Sequence, residues 1–296
     1  MSTMPQKVIL NAVPELTHQR TRSIGAILVE LGRLSPDDIE RIQQHASKHS
    51  VLFGEAALSL RLLTQADINL AIEHQFKYPI LARGGDSGVS DDVVAAYQPQ
   101  HPTVEALRGL RSQLTLRWAE NAERKTMVIL SPDRGDGRSW LAANLATVFA
   151  QMGERVLLID ADMRHPRQHQ LFNLNNAVGL SALLTGRAGK EIIARIHPQM
   201  RLFVLPAGLR PPNPQELLGR KVFDLILEAL ASRYDWVIID TPATSESADA
   251  LLLASRADAA VMLVRRNHSR AEELKTAMRN IAESGVRVIG SVISEH

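Results

Sequence analysis

Three stretches between residues 131 and 243 carry the residue types that phosphate chemistry requires. The run Ser131-Pro132-Asp133-Arg134-Gly135-Asp136-Gly137-Arg138-Ser139-Trp140 follows the apolar residues Met127 to Leu130 and precedes a helical pattern, so a glycine-rich turn joins a strand to a helix. Gly135 and Gly137 allow positive φ and close backbone approach, and successive N–H groups at a helix N-terminus can surround a phosphate. Ser139 offers a hydroxyl to magnesium. Measured against GxxxxGK followed by Ser or Thr, the loop departs twice: Pro132 takes the first glycine position and Arg138 the lysine position. Arginine binds phosphate in a bidentate manner, but its planar head does not reproduce the point charge of lysine. Alone, GDGRS also describes an exposed turn before a helix.

The loop has company. LLIDADMRHP places Asp160 and Asp162 two residues apart, hence on one side of a strand end, and VIIDTPA puts Asp240 directly after an apolar run. Each carboxylate taken singly also serves as a helix cap. Together, facing a glycine loop, they supply an anion cradle, a hydroxyl ligand and acidic groups for a metal and its waters, which is what magnesium-nucleotide needs. Hydride transfer fits poorly, because Trp140 stands where G-x-G-x-x-G requires its third glycine. The ten histidines form no H-E-x-x-H spacing for zinc; His165 and His169 suit a loop closing over nucleotide.

The elements that must position these residues follow from pattern. Apolar runs at 127–130, 155–159, 201–206, 236–239, 260–264 and 287–293 predict strands, and the segments 139–152, 214–233, 246–256 and 269–284 predict helices. Strands apolar on both faces alternating with helices predict an α/β fold, a mostly parallel sheet covered on both sides, with ligands at the carboxyl ends of the strands. Residues 102–124 predict an amphipathic helix, with Val104, Leu107, Leu110 and Leu114 at helical spacing. Before it, residues 81–100 are rich in Gly, Ser, Asp and Pro and read as a linker.

Residues 1–80 predict a small all-α domain with an internal repeat: residues 24–46 can be laid over 53–75, pairing Gly25 with Gly54, Ser35 with Thr64, and Asp38 with Asp67. Ser35 and Thr64 each stand three residues before an aspartate and an apolar-periodic run, close to a capping-box start. Each unit then reads as helix, turn, helix.

Composition narrows the function. The chain has 296 residues, 45% hydrophobic and 22% charged, with no cysteine, which excludes disulfides, iron–sulfur clusters, thiolate zinc and cysteine nucleophiles. A net charge of +2 is no nucleic-acid-binding density, so no nucleic-acid partner is expected. No stretch has the ~18 apolar residues of a membrane span, and the N-terminus has no secretory pattern, so the expected location is cytoplasmic.

In order, SPDRGDGRS, LLIDADMR and VIIDTP resemble the Walker A, A′ and B motifs of bacterial tyrosine kinases of the polysaccharide chain-length-determinant type, the EpsG type in particular. EALRGLRSQL, with Glu105, Arg108 and Arg111 at E-x-x-R-x-x-R spacing, and PPNPQELL agree with that family. The resemblance runs from about His101 to Ile293 and implies a P-loop ATPase domain over 101–296, related to MinD and ParA. It implies ATP and Mg2+ as cofactors, with Asp133, Arg134, Gly135, Asp136, Gly137, Arg138, Ser139 and Trp140 binding nucleotide. It further implies Ser139, Asp160 and Asp240 at the metal, and Asp160, Asp162 and Arg138 in catalysis of phosphoryl transfer to tyrosine. Glu105, Arg108 and Arg111 would join copies into a homo-oligomer. A membrane-spanning, Wzz-like chain-length regulator would be the partner, holding the protein at the inner membrane during exopolysaccharide assembly or export.

Two departures bear on activity. Arg138 replaces the loop lysine. Kinases of this family phosphorylate a tyrosine-rich C-terminal tail, whereas this sequence has only Tyr78, Tyr97 and Tyr234 and ends in SVISEH after the last predicted strand. Of these, Tyr97 in the predicted linker has the mobile setting. A MinD/ParA-like ATPase switch and a non-catalytic nucleotide-bound scaffold are the alternatives. The N-terminal repeat more weakly resembles the helical front domain of type II secretion ATPases; it lacks their R-L-G start, which favours a protein-contacting adaptor over a cyclic-dinucleotide site.

Overall fold

The computed structural model describes residues 23–76, 78–81, 88–118 and 125–295. The chain divides into two compact units at the Tyr78/Pro79 boundary.

The first unit has four helices, α1 (Ile24–Glu30), α2 (Pro36–His49), α3 (Phe53–Ser59) and α4 (Gln65–Phe76). The repeat is visible in its caps. Ser35 Oγ accepts from Asp38 N–H while Asp38 accepts from Ser35 N–H, and Thr64 and Asp67 make the same reciprocal pair. The paired glycines do the same job twice: a Cβ on Gly25 would meet Ile39 at 3.4 Å, and one on Gly54 would meet Ile68 at 3.4 Å. Each glycine thus faces the equivalent isoleucine of the following helix. Ile27, Leu28, Ile42, Ala56, Ala57 and Ala71 form the core.

In the second unit, α5 (Val94–Tyr97) and α6 (Pro102–Arg117) precede an alternating series. Its members are β1 (Thr126–Leu130), α7 (Arg138–Ala150), β2 (Val156–Asp160), α8 (Gln168–Leu171), α9 (Leu180–Leu184), β3 (Ala194–His197), β4 (Met200–Leu205), α10 (Pro214–Leu218), α11 (Lys221–Ala231), β5 (Trp236–Asp240), α12 (Asp249–Ala254), β6 (Ala259–Arg265), α13 (Ala271–Glu283) and β7 (Val288–Ser294). The strands form one sheet in the order β3-β4-β2-β5-β1-β6-β7, parallel except for β3, which pairs antiparallel with β4 at the edge. Six strands follow the sequence expectation; β3 does not, and the predicted helix 214–233 is two helices broken at Gly219 and Arg220.

Alternation along the strands fills both layers. Val156, Leu158, Met127, Ile129, Trp236 and Ile238 face the layer of α5, α6 and α7, and their neighbours Leu157, Ile159, Val128, Leu130, Val237 and Ile239 face the opposite layer. By the same period of two, Asp160 and Asp240 end β2 and β5 on the α7 side.

The segment read as a linker is instead part of this core. Val89, Val93, Ala95, Ala96 and Tyr97 are buried, and two polar side chains, one within α7 and one at its C-cap, fix the backbone around them. Asn144 accepts from Ala95 N–H and donates to Asp92 O, while Gln151 donates to Pro79 O and Ala95 O. Those bonds satisfy a loop backbone that burial would otherwise strand. Tyr97 is correspondingly fixed, its hydroxyl donating to Val89 O. Residues 82–87 of the predicted linker and 119–124 of the predicted helix lie outside the described residues.

Close packing also sets one stability prediction. A Cβ on Gly179 would lie 2.2 Å from Pro206 O and 2.3 Å from Gly208 N, both rigid backbone. Gly179→Ala is therefore expected to destabilise the second unit by about 1–3 kcal/mol, the usual range for overpacking. Denaturant titration should show a lower midpoint at unchanged slope.

Candidate active site

The glycine loop lies where β1 hands over to α7. Gly135 and Gly137 take φ of 87° and 101°, the left-handed conformation that glycine adopts without cost. The loop bounds a cavity of ≈ 240 Å³ lined by Arg134, Gly135, Gly137, Arg138, Ser139 and Trp140 from the loop and α7. Asp162, His165, Arg167 and Leu171 line it from the segment after β2, with Asp92 and Glu246 completing the wall. Arg134 and Arg167 are exposed cations and Asp92 and Glu246 exposed anions, so the rim carries both signs around the backbone N–H groups.

Asp133 and Asp136, expected at the nucleotide, do not line the cavity. Asp136 is fully buried and shapes the loop: it accepts from Asp133 N–H at 2.8 Å, from Ser269 Oγ at 2.7 Å, and lies 3.1 Å from His268 Nδ1. Arg265 Nη1 donates to Gly135 O at 3.0 Å. The β6–α13 turn is thereby stapled to the phosphate loop.

Arg138 also differs from expectation. It touches the cavity wall, yet only 7% of the residue is exposed and its guanidinium is committed to the protein. Nε donates to Thr241 O at 2.8 Å, and Nη1 donates to Asp133 O at 2.7 Å and to Ser131 Oγ. A lysine in this position has no fork to reach both the loop and the end of β5. The arginine therefore clamps the loop in addition to carrying charge.

Below the cavity, Asp160 and Asp240 are register partners on β2 and β5, both 0% exposed. Asp160 Oδ2 accepts from the N–H groups of Arg167 and Gln168 at 3.0 and 2.9 Å. Asp240 Oδ2 accepts from Gln168 Nε2 at 2.7 Å, and the same amide donates to Ser139 O at 3.0 Å. Burial holds Asp160 well above the usual carboxylate range, and the neighbouring Asp240 adds to it. Burial likewise pushes Asp240 up to about 6, against the lowering effect of Gln168, Ser139 and Arg138. The second oxygen of each carboxylate is buried with no partner.

Those orphaned oxygens are the test of whether a divalent cation suits the site, and they pass it: two buried carboxylates, each with one oxygen lacking a donor, are costly to ionise until a cation compensates them. Among the described residues no three acidic or imidazole groups converge as a complete metal cage. That is the donor set of magnesium, which keeps waters and takes one or two carboxylates beside the phosphates, rather than of a protein-caged ion.

Asp162 reaches the cavity, its Oδ1 fixed by the N–H groups of Arg164 and His165 at 3.1 and 2.8 Å. Arg164 in turn pairs with buried Asp249 at 2.8 Å. In α6, Glu105 pairs with Arg108 at 3.0 Å and remains exposed, whereas Arg111 donates to Val148 O of α7 in the same chain at 2.7 Å. Sequence reasoning missed Asp92, Glu246 and Gln168. Only Glu246, six residues after Asp240, had a positional signal.

Residues 124–284 match the family model described as an AAA domain. Tyrosine-protein kinase YwqD of Bacillus subtilis is 35% identical over 215 residues, 72% of this chain and 90% of that protein. The crystal structure of the chimerical protein CapA2B2 superposes with a TM-score of 0.66 at 34% identity, covering 77% of this chain and 99% of that one. The kinase domain of Escherichia coli tyrosine kinase ETK gives 0.65 at 31% identity, covering 68% and 79%. With the glycine loop, the paired strand-end carboxylates and Asp162 arranged as above, the chain belongs to the bacterial tyrosine-protein kinase family.

Proposed function

We propose that the protein transfers the γ-phosphate of ATP to the hydroxyl of a tyrosine, in the service of exopolysaccharide chain-length control, assembly or export. The observation that carries this reading is the glycine-loop cavity, lined by Ser139, beside the buried register pair Asp160 and Asp240, with the Gln168 amide donating to both Asp240 Oδ2 and Ser139 O.

Each residue then has a task. The N–H groups of the loop and α7, with Arg134, receive the phosphates. Ser139, Asp160 and Asp240 hold magnesium directly or through its waters. When bound, the metal neutralises charge on the phosphates and orients them. Asp162, held at one oxygen by two N–H groups, accepts the tyrosine proton as the new O–P bond forms and the bond to ADP breaks. Arg138 keeps the loop registered on β5.

Neither buried Tyr97 nor Tyr234, whose ring packs on Phe203 at 5.3 Å, is presented to the cavity. The acceptor in this reading is a tyrosine other than these two. In this reading Glu105 and Arg108 exchange their mutual ion pair for partners on a neighbouring copy, with Arg111 buttressing α6 from within. The N-terminal unit is an adaptor for partner proteins, and a membrane-spanning chain-length regulator positions the kinase at the inner membrane; no described helix is long and apolar enough to cross a membrane.

A second reading, a nucleotide-bound scaffold, is favoured by the commitment of Arg138 to protein carbonyls. Labelled ATP with magnesium separates the two, given a tyrosine-containing polymer and the cytoplasmic segments of a chain-length regulator. Phosphotyrosine is expected, rising with the regulator present. Nucleotide binding with no phosphotyrosine under any condition would reject the kinase in favour of the scaffold.

A further inference from the structure

One side-chain amide is sealed among the strand-end carboxylates. Gln168, the first residue of α8, is 0% exposed. Its Nε2 donates to Asp240 Oδ2 at 2.7 Å and to Ser139 O at 3.0 Å, and its backbone N–H donates to Asp160 Oδ2 at 2.9 Å. One residue thus joins the end of β2, the end of β5 and the first turn of α7. These are the groups that must move together for a cation to meet both carboxylates.

The bonds that are missing matter as much as those that are made. A primary amide has two donors and an acceptor, and burying any of them without a partner is costly. Both Nε2 contacts are made, but Oε1 is buried with no partner, as are Asp160 Oδ1 and Asp240 Oδ1. Gln168, Asp160 and Asp240 therefore each keep an unused acceptor. A hydrated divalent cation supplies what that set lacks: positive charge for the carboxylates and water O–H groups for an amide oxygen.

We propose that Gln168 is the positioning residue of the divalent-cation site. Its N–H groups set Asp240, Asp160 and the Ser139 turn, and its free Oε1 accepts from water carried by the cation. This rests on the reading of the cavity as a magnesium-nucleotide site.

The test uses the whole chain and Mn2+, whose binding is followed by electron paramagnetic resonance in the presence of ADP. Gln168→Met keeps the length of the side chain and removes both donors and the acceptor. It is expected to bind Mn2+ ~10–100-fold more weakly than wild type, the usual cost of losing an outer-shell partner, while affinity for metal-free ADP stays within about twofold. Should that variant fail to fold, the wild-type protein decides alone. With uniform nitrogen-15 labelling, the assigned side-chain amide resonances of Gln168 are expected to shift when Mg2+ is added to the ADP complex. Wild-type protein that binds no metal with ADP would overturn the reading of the site and this inference with it. Wild-type Mn2+ affinity in Gln168→Met, or amide resonances that ignore Mg2+, would overturn the role of Gln168 alone.

Discussion

Asp160→Ala is expected to lower the rate of phosphoryl transfer by at least ~10³-fold while the protein remains folded, the order of loss seen when a preorganised charge-stabilising group is removed. Phosphoryl transfer asks little covalent chemistry of a protein and depends on placing charge and metal. Asp160 meets that demand from a rigid position, at the end of a fully buried strand opposite Asp240 and with Oδ2 tied to two backbone N–H groups. Truncation leaves the N–H groups of Arg167 and Gln168 without their acceptor, which costs stability, but it also removes a carboxylate that burial disfavours. The two effects oppose, so the melting temperature should move little while turnover collapses. Single-turnover transfer from labelled ATP, beside circular-dichroism melts of both proteins, checks the separation. Undiminished transfer would remove the strand-end carboxylate from the mechanism.

That site was legible in sequence because its chemistry sits at strand ends. Apolar runs such as VLLI and WVII announce where a strand stops, and the next residue, Asp160 or Asp240, is then placed by the sheet itself. Capping boxes are equally local: Ser35 with Asp38 and Thr64 with Asp67 act over three residues and formed as their spacing predicts. What could not be read depends on partners far away in the chain. Residues 88–97 look like a linker because nothing nearby explains their burial; the explanation is Asn144 and Gln151, which lie 49 and 56 residues from their partner Ala95. Arg138 reads as a phosphate ligand until Thr241, 103 residues away, is seen to accept from its Nε. Strand β3 is only four residues long with no fully buried position, so it carries no apolar run to detect. Gln168 belongs to the same class, a polar residue whose significance exists only once β2 and β5 are side by side.

Asp240→Asn should stabilise the nucleotide-free protein and disable the metal-dependent one. Burial, opposed by the lowering effect of Gln168 and Ser139, pushes the Asp240 carboxyl from 3.8 up to about 6. Between those values the folded protein holds a proton that the unfolded chain has released. Stability therefore falls as pH rises from about 4 to 6, and the loss persists at higher pH, amounting to about 3 kcal/mol from this group. The amide has no charge to desolvate and also relieves the repulsion that raises Asp160. Denaturation midpoints of wild type and variant should accordingly lie close together near pH 4 and separate towards pH 8, with the variant higher. Magnesium and ADP reverse the order. In wild type the cation compensates the buried charge and adds stability by mass action, whereas the variant gains what nucleotide alone provides. Parallel pH dependences for the two proteins would mean that Asp240 ionises in the folded state as freely as in the unfolded chain. The strain assigned to the carboxylate pair would then be absent. Separation that MgADP closes identifies the stability sacrificed at the end of β5 as the cost of holding an anion ready for its metal.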